Sequence, residues 1–260
     1  MSELDHPVLK QAGREFSDGK IGRRDFLRVA TLLGVAAPIA YSMAGLTAPA
    51  RAQTASPKKG GVVRLGMRVQ DLKSPHTYSW IEGANAARQV LDYLTYTDID
   101  NVTKRSLVDK WTASPDLKSW TLELRRDVTW RKDNRKFTAD DAVWNLKRVL
   151  DAATGSSVVG LLKGFILDEY EMDEIDPKTS KKKVSTRLWD ATAIQKIDDF
   201  TVRLNGKSAN LGIPEALFHY PLLITDPAEN GVFQVGSNGT GAFEMTELEV
   251  GKRAVFVRRK

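Results

Sequence analysis

The chain of 260 residues contains no cysteine. That excludes disulfides, thiol catalysis, iron–sulfur clusters and cysteine-ligated zinc, and leaves an apolar core to hold the fold together. Histidine is scarce as well. Of the three, the two beyond residue 52, His76 and His219, have no HxxxH or HxH partner, so no metal ligand and no cofactor is expected. Neither sign of charge dominates: 39 Lys+Arg stand against 33 Asp+Glu, a net +6. Residues 1–52 hold seven of the basic and five of the acidic residues, so the remainder carries only +4. No concentrated basic stripe marks a nucleic-acid binder, and none is expected as a partner. A strong membrane span is also missing. The apolar run from Val29 to Leu46 approaches the shortest spans, roughly 17 residues, but Ala, Gly and Thr dominate it and Pro38, Tyr41 and Ser42 interrupt it. What is present is 42% hydrophobic residues and six tryptophans, all beyond residue 52, enough for a sizeable core.

The stretch Gly22-Arg-Arg-Asp-Phe-Leu-Arg28 precedes that mild run, and Ala50-Arg51-Ala52 follows it. A basic region, an apolar core of modest strength and small residues framing a cleavage site together describe an export leader. The paired Arg23 and Arg24, followed by Phe26-Leu27, resemble the twin-arginine signal, which a receptor reads as an address. Gly22 stands where Ser or Thr is usual. Residues 1–52 are therefore expected to be a leader cleaved near Ala52, with Ala50 and Ala52 at the cleavage site and the rest periplasmic; an uncleaved anchor is the alternative. A buried helix is disfavoured here because Pro38 removes a helix hydrogen bond while Gly34 and Gly45 weaken the remainder.

Residues 53–58 read as a tether into the fold. Val63, Leu65, Met67 and Val69 then alternate with polar positions, predicting a strand with one buried face. Residues 83–94 place Ala87, Val90, Leu91 and Leu94 at helical spacing. Trp120, Leu122 and Leu124 predict a strand, with a turn at Arg126-Asp127 and a hairpin partner through Val128 and Trp130. Thr138-Ala-Asp-Asp141 is a capping-box start for a helix bearing Ala142, Val143, Leu146, Val149 and Leu150 on one side. Residues 168–183, acidic then basic, read as an exposed charged excursion without the acid spacing of a calcium loop. Phe200, Val202 and Leu204 predict a strand, Pro214 opens a short helix, and 219–225 returns to a buried extended segment. Residues 239–245 and 254–257 form two strands across a Val250-Gly251 turn.

Chemistry is sparse. Gly155-Ser-Ser-Val-Val-Gly160 does not match a GxSxG nucleophile elbow. Gly236-Ser-Asn-Gly-Thr-Gly241 lacks the Lys-Ser/Thr of a P-loop and runs into a strand, so it reads as a backbone-shaping turn. No nucleophile, base and orienting group assemble, so no enzyme activity is expected. Aromatic and small polar residues beside loops (Tyr78, Trp80, Tyr93, Tyr96) suit concave recognition of small molecules.

Several stretches then fall together. Lys59-Gly-Gly-Val-Val-Arg-Leu65, Leu107-Val-Asp-Lys-Trp111, the run from Ser114 through Arg125 to Trp130, Phe137-Thr-Ala-Asp-Asp-Ala-Val-Trp144 and Gly239-Thr-Gly-Ala-Phe243 resemble, in order, the motifs of the periplasmic oligopeptide- and dipeptide-binding proteins, extracytoplasmic solute-binding family 5 of the ABC importers. Ala242 departs from the usual Pro. The resemblance implies an α/β, type II periplasmic-binding clamshell lobe with a mixed sheet. Residues 57–87 and 188–260 would form the incomplete first lobe, and 88–187 an inserted smaller α+β domain. It also implies an N-terminal piece, since family members continue past this hairpin into a second lobe, and a piece alone would bind poorly. The function implied is capture of a peptide or related small solute by a monomer and its delivery to an inner-membrane ABC permease. Thr77, Tyr78, Ser79 and Trp80, with Tyr96 and Asn238, would line the cleft. An exported hydrolase with its catalytic residues beyond 260, or a structural or sensory envelope protein, are the alternatives; nickel, haem, sugars and opines are alternative ligands.

Overall fold

The computed structural model describes residues 3–47 and 60–259. The chain enters through three helices, α1 (Pro7–Ser17), α2 (Arg23–Leu32) and α3 (Ala37–Met43). This corrects the expectation that no buried helix forms here. Leu9, Phe26, Leu27, Ala30, Leu33 and Val35 are all buried in the common core. The helix breakers delimit helices rather than forbid them. Gly34 takes φ +91° just after α2, and Pro38 falls in the first turn of α3, where its missing N–H has no helical partner to lose.

The segment 60–71 corrects a second expectation. It forms no strand, and Val62, Val63 and Leu65 are exposed, Val63 by 85%. Alternation states that a strand would be amphipathic; it does not supply the neighbour whose backbone groups complete the ladder. Among the described residues the segment is tied to the fold late, where the Gly251 N–H donates to the Val69 carbonyl (2.8 Å).

Then come α4 (Ile81–Ala87), β1 (Thr95–Thr97), β2 (Thr103–Arg105), β3 (Val108–Ala113) and β4 (Ser119–Leu124). The helix predicted over 83–94 stops at Ala87, and Val90, Leu91 and Leu94 are buried from irregular backbone. The expected partner of β4 is also corrected: Val128–Trp130 does not pair with it, and Thr129 instead bridges Lys136. The capping box forms as predicted, with the Thr138 N–H donating to the Asp141 carboxylate (2.9 Å), and opens α5 (Ala139–Leu150).

After α6 (Val159–Leu162), the charged excursion is a hairpin, β5 (Leu167–Ile175) with β6 (Lys182–Leu188). Lys182 pairs with Glu171 and Lys183 with Glu174 across it, and Arg187 lies over the Tyr170 ring. What reads in sequence as an acid block followed by a basic block is a set of cross-strand partners. The chain closes through β7 (Ile194–Asp198), β8 (Thr201–Asn205), α7 (Ile213–Ala216), β9 (Phe243–Glu249) and β10 (Arg253–Arg258). The Pro214 helix and the final hairpin stand as predicted.

The main sheet has the order β3-β4-β8-β7. The mixed sheet expected for the lobe is antiparallel in every named pairing among the described residues. In register, Trp120 faces Leu204 and Leu122 faces Val202, and their side chains go inward, where α5 packs against β7 and β8. Strands β3 and β4 come from 88–187 and β7 and β8 from outside it, so both proposed divisions contribute to one sheet. The buried indoles keep their donors satisfied: Trp120 Nε1–H donates to the Asn210 carbonyl (3.1 Å) and Trp130 Nε1–H to Asp141 (3.1 Å). No helix among the described residues is long and apolar enough to cross a membrane.

Candidate functional site

Four of the predicted residues meet at one place. Thr77, Tyr78, Ser79 and Trp80 line a cavity of about 270 Å³ together with Gln70, Asp71, Lys73 and Ser74. The loop that builds it alternates. Pro75, His76 and Tyr78 are buried, whereas Thr77, Ser79 and Trp80 are exposed, Trp80 by 62%. A two-residue period outside any sheet needs its own inward anchors, and two side chains provide them.

His76 is the first anchor. Its Nε2 lies 3.0 Å from the Leu223 carbonyl and its Nδ1 lies 3.1 Å from Arg148 Nη1. A guanidinium can only donate, so Nδ1 accepts and Nε2 carries the proton toward the carbonyl. Burial and then the adjacent Arg148 charge disfavour the imidazolium and push the pKa of His76 down to about 4. Tyr78 is the second. Its hydroxyl donates to the Leu72 carbonyl (2.7 Å), burial raises its pKa above the usual phenol value, and its ring lies against Gly83. Of the four, Tyr78 therefore spends its polar atom within the fold, and Trp80 turns its ring outward.

The remaining two predicted residues lie elsewhere. Tyr96, on β1, is 43% exposed and makes an edge-to-face contact with Phe218 (ring centres 4.9 Å apart), which meets Tyr93 in the same way. It does not line the cavity. Asn238 is 3% exposed and fully engaged: its Nδ2 donates to Asp226 (2.7 Å), and its Oδ1 accepts from the Lys132 N–H (2.9 Å) and from its neighbour Gly239 (3.0 Å). Around it, Arg135 bridges Asp226 and Asp141, and Asn145 holds both the N–H and the carbonyl of Thr225. This network fixes the Gly-rich turn. The turn is held further by Gly241 N–H on the Val90 carbonyl (2.9 Å) and by the Thr240 hydroxyl on the Asp92 carboxylate (2.7 Å). Burial raises the pKa of Asp92, partly countered by that hydroxyl.

Arg23 and Arg24 are exposed in the first turn of α2. Ala50 and Ala52 lie outside the described residues. A larger hollow of about 580 Å³ lies among the entry helices, bounded by Phe16, Phe26 and Met43 and by Lys10 and Arg14. The loop cavity is nevertheless the better candidate site, because it gathers an indole face, three aliphatic hydroxyls and opposite charges that an amide-bearing or zwitterionic solute could use. Asp71, Lys73 and Gln70 were not singled out from the sequence; their signal was only proximity to the predicted loop. His76 was dismissed as a ligand, and its anchoring role depends on partners 72 and 147 positions away. Among the described residues, no group of three or more His, Cys, Asp or Glu is placed to hold a metal ion.

The family model for "Bacterial extracellular solute-binding proteins, family 5 Middle" matches residues 103–260. The chain is 27% identical over 156 residues to the periplasmic oligopeptide-binding protein OppA of Haemophilus influenzae, covering 60% of this chain and 28% of that protein. The crystal structure of that OppA in complex with RPPGFSPFR superposes with a TM-score of 0.56 at 21% identity, covering 73% of this chain and 36% of that one. NikA from Brucella suis in complex with Fe(III)-EDTA gives 0.53 at 24% identity, covering 74% and 34%. The chain thus spans about a third of the length of these relatives, and the shared fold is that of the type II periplasmic binding proteins.

Proposed function

The chain belongs to family 5 of the bacterial extracellular solute-binding proteins, and from that premise we propose that it captures peptides, or a related small solute, for an ABC importer. The observation that carries this reading is the loop cavity: Thr77, Ser79 and Trp80 turn outward around about 270 Å³ while His76 and Tyr78 lock the loop from behind. An exposed indole held on an anchored loop is a preorganised recognition surface, because little conformational freedom remains to be lost on binding. In the whole protein this surface forms one wall of a cleft between two hinged lobes; enclosure of the solute biases the closed state, which is presented to an inner-membrane permease. The protein acts as a monomer in the periplasm, delivered there by the twin-arginine route after cleavage near Ala52.

Native mass spectrometry of the protein expressed from its whole reading frame in its own host tests the proposal. A mass excess that fragments to a peptide is the expected result, and Trp80→Ala should lower its occupancy about tenfold or more. A co-purifying cofactor, or turnover of an added substrate, would overturn it.

A further inference from the structure

The entry helices are not merely adjacent to the body; they are fitted to it. Trp111 Nε1–H donates to the Leu32 carbonyl (3.0 Å), and the Thr103 N–H donates to Thr31 Oγ1 (3.3 Å), both contacts buried. His6 reaches the Ser114 carbonyl (3.1 Å), Arg28 pairs with Glu215, and Glu3 with Lys110 (3.1 Å). Phe26, Leu27, Ala30 and Leu33 fill the space between. Gly34 shows how close the approach is: a Cβ there would stand 2.7 Å from the Trp111 carbonyl oxygen, and φ is +91°. At the N-terminal end of the same helix, Arg23 and Arg24 are exposed, and among the described residues neither makes an ion pair. Two cations at the positive end of a helix dipole, beside one Asp25 cap, gain nothing from the fold that holds them.

We propose that, in the uncleaved chain, the apolar half of the leader is a docked cover on the face made by β2, β3 and α7, leaving the arginine pair outward. The body then serves as the leader's own partner: it keeps Phe26, Leu27 and Leu33 out of water while the address remains readable. The second half of this statement rests on the twin-arginine reading of Arg23 and Arg24; the first half does not.

Hydrogen exchange on the full chain tests it. The amides of Phe26–Leu33 should be protected together with those of β4 and β8. Gly34→Ala and Trp111→Phe should each speed exchange over Phe26–Leu33 at least about tenfold, while β4 and β8, reporting that the body is still folded, stay protected. Wild-type exchange over Phe26–Leu33 at the rate of unstructured peptide, with β4 and β8 protected, would overturn the docking, as would two variants without effect. The pair Arg23→Lys with Arg24→Lys separates the two readings. It should leave protection unchanged and abolish export in the host; undiminished export would sink the address reading while leaving the docked cover intact.

Discussion

Acid should unfold this protein through His76. In the folded state the ring is neutral and fully occupied, accepting from Arg148 at Nδ1 and donating to Leu223 at Nε2. Protonation would add a second donor facing a guanidinium, in a site closed to water. The pKa is therefore about 4 when folded, against about 6.5 in an unfolded chain. Between these values the unfolded chain binds the proton that the folded one refuses, so stability falls as pH falls through that window and levels off below it. The size follows from the gap: about 3 kcal/mol lost between neutrality and pH 4, a large share of a typical domain's stability. Urea unfolding followed by tryptophan fluorescence, at steps from pH 7.5 to 4, measures it for the wild type and for His76→Gln. Other groups contribute to both curves. His219, lowered by burial, acts in the same direction, and Asp92, raised by burial, acts in the opposite one. They cancel in the difference, which should change by about 3 kcal/mol. Two parallel curves would refute the assignment of the neutral, doubly bonded ring.

Gly239→Ala places a Cβ 2.1 Å from the Val90 carbonyl oxygen, which backbone must move to relieve, so a loss toward the upper end of roughly 1–3 kcal/mol is expected by denaturant titration. Asp141→Ala removes the carboxylate that accepts the Thr138 N–H at the cap of α5 and should cost about 1 kcal/mol or more, with exchange quickened at the first turn of that helix. Asn238→Ala should destabilise the chain as a buried-network deletion does, by about 1–3 kcal/mol, leaving the Asp226 carboxylate short of a donor; an unchanged midpoint would show the network to be dispensable.

Local patterns were legible and distant partnerships were not. Strand β8 could be read because Val202 and Leu204 state their buried face within five residues, and the cap of α5 because Thr138 and Asp141 are three apart. The strand expected at 63–69 had an equally clear pattern, but a strand also needs a neighbour, which no pattern within it names. Residues 168–183 failed in the opposite way. Their charges are cross-strand partners, and pairs such as Lys183 with Glu174 look like separate blocks until the hairpin is closed. Gly34 and Pro38 do break helices, but at the end of α2 and the start of α3, where a break costs nothing. At the candidate site, the loop was found from the family resemblance, whereas the commitment of Asn238 depended on Asp226, twelve positions away, and on Lys132, more than one hundred away.

The same alternation that forms the cavity also separates what may vary in it from what may not. His76 and Tyr78 face inward, and each donates to a particular backbone carbonyl, so changing either leaves a buried group unpaired at a cost of about 1–3 kcal/mol. Thr77, Ser79 and Trp80 face outward and carry no such penalty. Thr77 reaches only the Ser74 carbonyl of its own turn, and Trp80 is mostly in solvent. Selection on the ligand can therefore act on the outward residues without unfolding the loop that presents them. A frame of this kind holds its shape while its specificity changes, which is why the fold alone does not name the solute. It also ties the loop to acidity at one point. The imidazole that anchors the loop of Thr77 and Trp80 is the group the folded chain leaves unprotonated, so the proposed surface loses part of its support as pH falls toward 4.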